Sequence, residues 1–190
     1  MRPTCDRDQS DEDLAGRASI DNGAFAQLYE RHFATIYAYI RYRVDDRASA
    51  DDLVATVFTQ ALDRLDSFTP ERGIFGVWLI GIARNQLRDH RRRRARWRWI
   101  SLDWISDRAS RGPSPDAGIE LAQRHEAVLS AVERLTERER DIIGLKFGAG
   151  RTNREIAEIT GLSESNIGVI IHRALGHLRR DLNRDGGRHV

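Results

Sequence analysis

The chain of 190 residues contains a single cysteine, Cys5. One thiol excludes an intramolecular disulfide and a cysteine-rich zinc site, and it suits a reducing compartment. No apolar run approaches the roughly 20 residues that cross a bilayer, so membrane insertion is not expected. The opening, MRPTCDRDQSDEDL, is acidic and lacks the apolar core of a signal peptide; the expected location is cytoplasmic. No stretch alternates as a half-buried strand would, and no internal repeat is present. A His cluster, a phosphate-binding loop and an activated nucleophile are all missing. Asp51 and Asp52 are adjacent and diverge by about 100° on a helix, a poor metal pair. No enzymatic activity, cofactor or metal is therefore expected. Lysine is nearly absent as well, Lys146 being the only one. Arginine presents a planar fork to phosphate and base edges, although a GC-rich genome produces the same bias.

What is present is helical and unevenly charged. The formal net charge is only +2, yet Arg84–Arg98 holds eight arginines against one acid and one histidine. Helices are expected over Asp11–Ala18, Ala24–Arg43 and Ala50–Leu65. In the second of these Phe25, Leu28, Tyr29, Phe33, Ile36, Tyr37 and Ile40 keep helical register. In the third the apolar stripe is Val54, Val57, Phe58, Ala61 and Leu65. The loop Ser67–Gly73 follows, with Pro70 and Gly73. Then FGVWLIGIARNQLRDHRRRR, from Phe75 to Arg94, runs without a break from an apolar helix into four arginines. Leu79, Ile80, Ala83 and Leu87 share one face, while Trp78, Asn85, Arg88, Asp89 and Arg92 spread over the other. Such a rod can pack into a core and offer a basic, aromatic and amide face to nucleic acid. Trp97, Trp99 and Trp104 interleave with or follow the arginines, and aromatics beside arginine can stack bases. A solvated helix end is the plainer reading of the arginines, and packing against the first domain is the plainer reading of Trp104.

After Arg98 the composition changes. WISLDWISDRASRGPSPDAG carries two prolines and two glycines among Ser and Asp, and reads as a linker. Helix resumes near Ile119 and runs to about Arg134. Thr136-Glu-Arg-Glu139 and Thr152-Asn-Arg-Glu155 both match the capping box. Gly161 stands where a helix would end, and Ser163 can cap the next. Arg154–Arg179 therefore reads as a helix-turn-helix, with Ile167, Ile170, Ile171, Ala174, Leu175 and Leu178 forming the inner stripe of its second helix. Asn166, His172 and Arg173 lie on the outer side, where bases or phosphates are met. Thr152 and Asn153 start a backbone-clamping first helix.

Taken together these pieces resemble a bacterial RNA polymerase sigma factor of the extracytoplasmic-function group. The resemblance rests on FAQLYERHFATIYAYI, ADDLVATVFTQALDRLDSF, WLIGIARNQLRDHRRRR, LTERERDIIGLKF, EIAEITGLS and HRALGHLR, in that order and spacing. It implies an all-α protein of two small helical domains joined by a flexible linker, the second containing a helix-turn-helix. The implied division is an N-terminal extension 1–20, a polymerase- and −10-binding domain 21–99, a linker 100–120, a −35-binding domain 121–182 and a tail 183–190. Core RNA polymerase, promoter DNA and an anti-sigma factor are the implied partners. By resemblance, Asp51, Asp52, Ala55 and Thr56 grip the polymerase. Trp78, Asn85, Arg88, Asp89, Arg91 and Arg92 engage the −10 element, and the loop with Ser67 and Phe68 takes up a flipped base. Thr152, Asn153, Asn166, Gly168, Val169, His172 and Arg173 face the −35 element.

Two departures from the family pattern carry expectations. Ala55 and Thr56 stand where the family has a Gln–acid pair, which puts the strength of that polymerase contact in question. The recognition helix lacks the usual basic residue at Gly168, so −35 reading should be weaker or more dependent on DNA shape. A LuxR-type regulator is the rival reading, since LTERERDIIGLKFGAGRTNREIAEITGLS resembles that domain's opening; its Thr-Val-Lys is missing here.

Overall fold

Helix boundaries in the chain are set largely by side chains that satisfy free backbone donors. In the computed structural model, which describes residues 9–100 and 127–186, Ser10 caps α1 (Asp11–Ala18) by accepting from the Asp13 amide at 3.1 Å. Asp21 does the same for α2 (Asn22–Arg41), accepting from Gly23 N at 2.8 Å. Asp46 caps α3 (Arg47–Asp63) through Ser49 N at 2.7 Å and Ser49 Oγ at 2.8 Å. Both longer helices thus begin before the apolar periodicity does, because an aspartate and not a hydrophobe marks the start. Two short 3₁₀ turns, Leu65–Ser67 and Pro70–Arg72, lead to α4 (Phe75–Ile100). Gly73 closes the loop at φ 146°, a region essentially restricted to glycine.

Helices α2, α3 and α4 pack around a core that holds Leu28, Ile36, Ile40, Val54, Val57, Ala61, Leu79, Ile80, Ala83 and Leu87. The four α4 residues expected on one face are at most 1 % exposed. The expected α2 stripe needs correction: Tyr29 and Phe33 are 40 % and 37 % exposed, while Tyr39 is fully buried. Tyr29 and Phe33 form a tilted ring pair at the surface, and Tyr29 also meets Phe58 at 4.6 Å.

The extension preceding α2 is part of this packing. Leu14, Ala15 and Ala18 of α1 are buried in the same core. Asp11 accepts from Arg31 at 2.9 Å and pairs with His32 Nε2 at 2.6 Å. Burial acts to raise the Asp11 pKa, but hydrogen bonds from Arg31 and His32 outweigh it and hold the carboxyl below its ordinary value. Glu12 accepts from Phe75 N at 3.3 Å, so an acid of α1 caps the start of α4.

The second half begins, among the described residues, with a short helix α5 over residues 127–133. The linker region and the start of the expected helix near Ile119, Trp104 included, lie outside the described residues. Helix α6 (Glu137–Ile143) runs into a wide turn, Gly144–Gly148, closed by Ala149 N donating to Gly144 O at 2.9 Å. Then come α7 (Asn153–Thr160) and α8 (Glu164–Gly186). Both capping boxes form: Thr136 with Glu139, and Thr152 with Glu155. No strand occurs among the described residues.

Removing the α7 box tests its weight. Backbone hydrogen bonding to Thr152 is the main cause that holds the Glu155 pKa below its ordinary value of 4.5. Its contribution is therefore present above pH 4.5 and is lost as the pH falls through the lowered value. Thr152→Ala keeps the backbone donor and removes only the hydroxyl, whose own hydrogen bond also lowers the Glu155 pKa; it should cost about 1 kcal/mol in urea unfolding at neutral pH, and the gap from the native chain should narrow in part below pH 4.5.

Candidate nucleic-acid interface

Burial of Leu79, Ile80, Ala83 and Leu87 orients the rest of α4. Asn85, Arg88, Asp89 and Arg92 consequently stand exposed on the far side. Arg92 lies 4.0 Å from Asp89, a loose pair one turn apart with both side chains more than half exposed. Such a pair contributes little and leaves both groups available. Arg94 is more firmly engaged, donating to Asp45 at 2.5 Å. Arg91 is only 37 % exposed and pairs with Glu137 of the second half. Burial lowers the His90 pKa, and the neighbouring charges of Arg94 and Arg93 lower it further, which favours the neutral imidazole.

At its N-terminal end α4 meets the preceding loop through an aromatic cluster. Phe68, Phe75 and Trp78 lie 5.4–5.5 Å apart, with Phe68 edge-on to Phe75. Edge and tilted geometries of this kind add about 0.5–1.5 kcal/mol per pair beyond area burial. Phe68 and Trp78 are half-buried and packed against the core, so both are partly committed to holding the loop. Ser67 is exposed, its hydroxyl donating to Arg64 O at 2.6 Å.

The exposed strip of α3 holds Asp51, Asp52, Ala55 and Thr56, all four open to solvent. Arg47 sits 3.9 Å from Asp51, and Thr56 Oγ1 donates back to Asp52 O at 2.8 Å. Leu53, Val54, Val57 and Phe58 are buried behind them, which keeps the strip turned outward.

In the second half, Gly161 ends α7 in the left-handed region at φ 73°, and Ser163 Oγ accepts from Asn166 N at 3.3 Å to start α8. Ile167, Ile170 and Ala174 point inward. Asn166, Val169, His172 and Arg173 are exposed, and Gly168 is half-buried between them. Val169, at 53 % exposure, is an apolar contact on an otherwise polar face. Thr152 is exposed at the start of α7; Asn153 is half-buried and its Oδ1 has no hydrogen-bond partner. His177 Nδ1 lies 3.3 Å from Glu139 Oε1, tying α8 to the capped start of α6. Asn166, Arg173 and His177 line a groove there with Thr136 and Arg138.

The region from 28 to 97, which contains the α3 strip, the loop and α4, matches the family model for sigma-70 region 2, and residues 131–180 match sigma-70 region 4. The chain is 34 % identical over 187 residues to the ECF RNA polymerase sigma factor BldN of Streptomyces coelicolor, covering 97 % of this chain and 70 % of that one. It belongs to the ECF group of RNA polymerase sigma factors. The ECF sigma factor SigX of Bacillus subtilis is 30 % identical over 165 residues, 83 % of each chain. Among solved structures, CnrH in complex with the cytosolic domain of CnrY superposes with TM-score 0.69 at 27 % identity, over 93 % of this chain and 99 % of that one. As a sigma factor the protein directs core RNA polymerase to promoters, and the LuxR-type reading is not favoured.

The sequence reading missed part of the charged architecture of this sigma factor. Arg84, Arg43 and Tyr39 carry polar contacts between the two halves beside the Arg91–Glu137 and Arg140–Asp45 pairs, and Gln86 is buried at 7 % exposure. A signal existed: Tyr39 and Arg43 fall three and seven residues after Ile36, on the buried side of α2. Among the described residues no helix is long and apolar enough to cross a membrane, and no group of three or more His, Cys, Asp or Glu side chains could hold a metal.

The division of α4 between packing and exposure has a direct consequence for stability. Trp78→Ala should lower the thermal midpoint measurably by opening the Phe68–Phe75 cluster. Asn85→Ala, on the open face, should leave the unfolding free energy within about 0.5 kcal/mol of the parent.

Proposed function

We propose that the exposed face of α4 and the loop before it open and hold the −10 element, while the outer face of α8 reads the −35 element. The observation that carries this is the sidedness of α4: a fully buried apolar face opposite exposed Asn85, Arg88, Asp89 and Arg92. Capture of unstacked bases drives melting without hydrolysis. Unstacking costs a few kcal/mol per base, and binding the separated strand more tightly than the duplex supplies it. In this scheme Arg88, Arg91 and Arg92 anchor the backbone. Asn85 reads a base edge, and Ser67, Phe68 and Trp78 form the pocket wall for an extruded base. Thr152 and Asn153 clamp the duplex backbone. Asn166, Gly168, Val169, His172 and Arg173 face the major groove, with Val169 suited to a thymine methyl. Asp51, Asp52, Ala55 and Thr56 form the polymerase contact, and the neutral pair Ala55 and Thr56 makes it weaker than a Gln–acid pair would.

This scheme keeps the division into extension 1–20, first domain 21–99, linker 100–120, second domain 121–182 and tail 183–190, with α1 serving the first domain as a brace. The protein acts in the cytoplasm, without catalysis of its own and without a cofactor. An anti-sigma factor is its regulatory partner. This is supported by two similar solved structures, one of CnrH in complex with the cytosolic domain of CnrY and one of the sigma factor RpoE in complex with the anti-sigma factor NepR from Bartonella quintana.

Run-off transcription with core polymerase on a promoter library tests the scheme as a whole, and transcripts with shared upstream elements are the expected result. On a promoter so found, Asn85→Ala should slow open-complex formation about tenfold or more with polymerase affinity unchanged; equal loss of both would make α4 merely structural. Arg173→Ala should weaken promoter binding by about 1–3 kcal/mol, and unchanged affinity would remove Arg173 from the reading face.

A further inference from the structure

Helix α1 lies ahead of residues 28–97, the stretch that matches sigma-70 region 2, yet it reaches both ends of the loop that follows α3. At the near end the Ser19 hydroxyl, just past the last turn of α1, donates to Asp66 Oδ1 at 3.0 Å. At the far end the Phe75 amide, the first of α4, donates to Glu12 Oε1 at 3.3 Å. The two bonds bridge 47 and 63 residues of sequence. Beneath them the contact is apolar. Leu14, Ala15 and Ala18 of α1 are buried in one core with Leu65 and Phe75, the residues that flank the loop. The helix is itself fixed to α2, where Arg31 donates to Gln9 O at 2.8 Å and to Asp11 Oδ1 at 2.9 Å.

The spacing of the two anchors sets the spacing of the loop ends. Glu12 and Ser19 are two helical turns apart, so they share a face of α1 and stand about 10 Å from each other along its axis. The stretch from Asp66 to Phe75, fully extended, would span roughly 30 Å. The loop is therefore held folded back, with Gly73 at φ 146° supplying its last bend. Between the anchored ends Phe68 packs edge-on to Phe75 and beside Trp78, while Ser67 is exposed. A loop with free ends samples many shapes, and closing it costs entropy. A rigid strut across the ends removes that freedom before any ligand arrives, which is how a preorganised site gains affinity.

We propose that α1 is the positioning element of the base-capturing loop, with Ser19 and Glu12 as its two positioning residues. The inference rests on the reading of Ser67, Phe68 and Trp78 as the wall that receives an extruded −10 base. Neither Ser19 nor Glu12 meets DNA in this scheme; each acts through the loop. Losing the strut leaves the side chains of the wall present but lowers the fraction of molecules whose loop is shaped to accept a base. Apparent affinity falls by that fraction. A hydrogen bond of this kind has a modest net worth, so loss of both weakens capture without abolishing it.

The experiment uses the full chain with core polymerase on a promoter found by run-off transcription, its non-template −10 strand carrying an abasic site at each position in turn. The native protein should show a position where loss of the base weakens binding of the opened strand, and Phe68→Ala should erase that penalty. If no position behaves so, the reading of the loop fails and the proposal falls with it. At that position Ser19→Ala combined with Glu12→Ala should bind the intact strand about fivefold more weakly, and the abasic strand within about twofold of native. Glu12→Gln, which keeps an acceptor oxygen, and Ser19→Thr, which keeps the hydroxyl, should both behave as native. Equal loss on the two strands, or an equal loss of polymerase affinity, would make α1 a general support of the fold and overturn the proposal with the loop reading intact. Unchanged binding of the intact strand would overturn it as well. Far-UV circular dichroism checks helix content. If the double variant loses it, Ser19→Ala alone, at an exposed hydroxyl, carries the same comparison with Ser19→Thr as its rescue.

Discussion

Burial of four apolar residues on one side of α4 constrains everything the first half can present. Leu79, Ile80, Ala83 and Leu87 are sealed against α2 and α3, and a helix rotated to bury them has no freedom left in where Asn85, Arg88 and Arg92 point. The 3.6-residue repeat converts a packing requirement into a fixed exposed face. The brace from α1 serves the same end: Glu12 reaches the first amide of α4, and Asp11 locks α2 through Arg31 and His32.

The arginines of α4 are not equivalent. Arg84, Arg91 and Arg94 meet carboxylates of the protein, whereas Arg88 and Arg92 stand at the surface. Arginine is suited to both duties, since its fork makes directed bonds within a fold and matches phosphate outside it. Which duty each performs depends on what the rest of the chain brings opposite. The same helix therefore belongs to the core, to the seam between the halves and to the open surface along successive turns.

The outer face of α8 is sparing in charge near its start. Asn166 and Val169 come before His172 and Arg173, and Gly168 offers no side chain at all. The helix is nonetheless firmly held, by the Ser163 cap, by Gly161 in the left-handed region and by His177 beside Glu139. A rigid helix with few hydrogen-bonding groups favours shape and apolar contact over base-by-base readout.

Local signals were legible in the residues. Both capping boxes, the glycine that ends α7, the serine that starts α8 and the apolar face of α4 follow from spacing alone, because each depends on atoms within four residues. The order of motifs was enough to identify the family, and the expected open face of α4 is observed for Asn85, Arg88, Asp89 and Arg92 but not for Trp78, which packs against the core. Starts of α2 and α3 were less legible, since Asp21 and Asp46 act before the hydrophobic pattern begins. The exposure of Tyr29 and Phe33 and the burial of Tyr39 were hidden for a further reason: periodicity identifies a stripe but not which edge of it a neighbour covers. The charge node at Asp141 was beyond the reach of sequence. Its partners lie 102 and 57 residues away, and nothing in a local pattern tells a surface aspartate from one that gathers a tyrosine and two arginines. The existence of the helices, the two capping boxes and the sidedness of α4 are short-range properties that follow from the residues alone. Which of its arginines face solvent and which face the chain's own carboxylates follows from the folded arrangement alone, because it depends on groups that are distant in the chain and meet on folding.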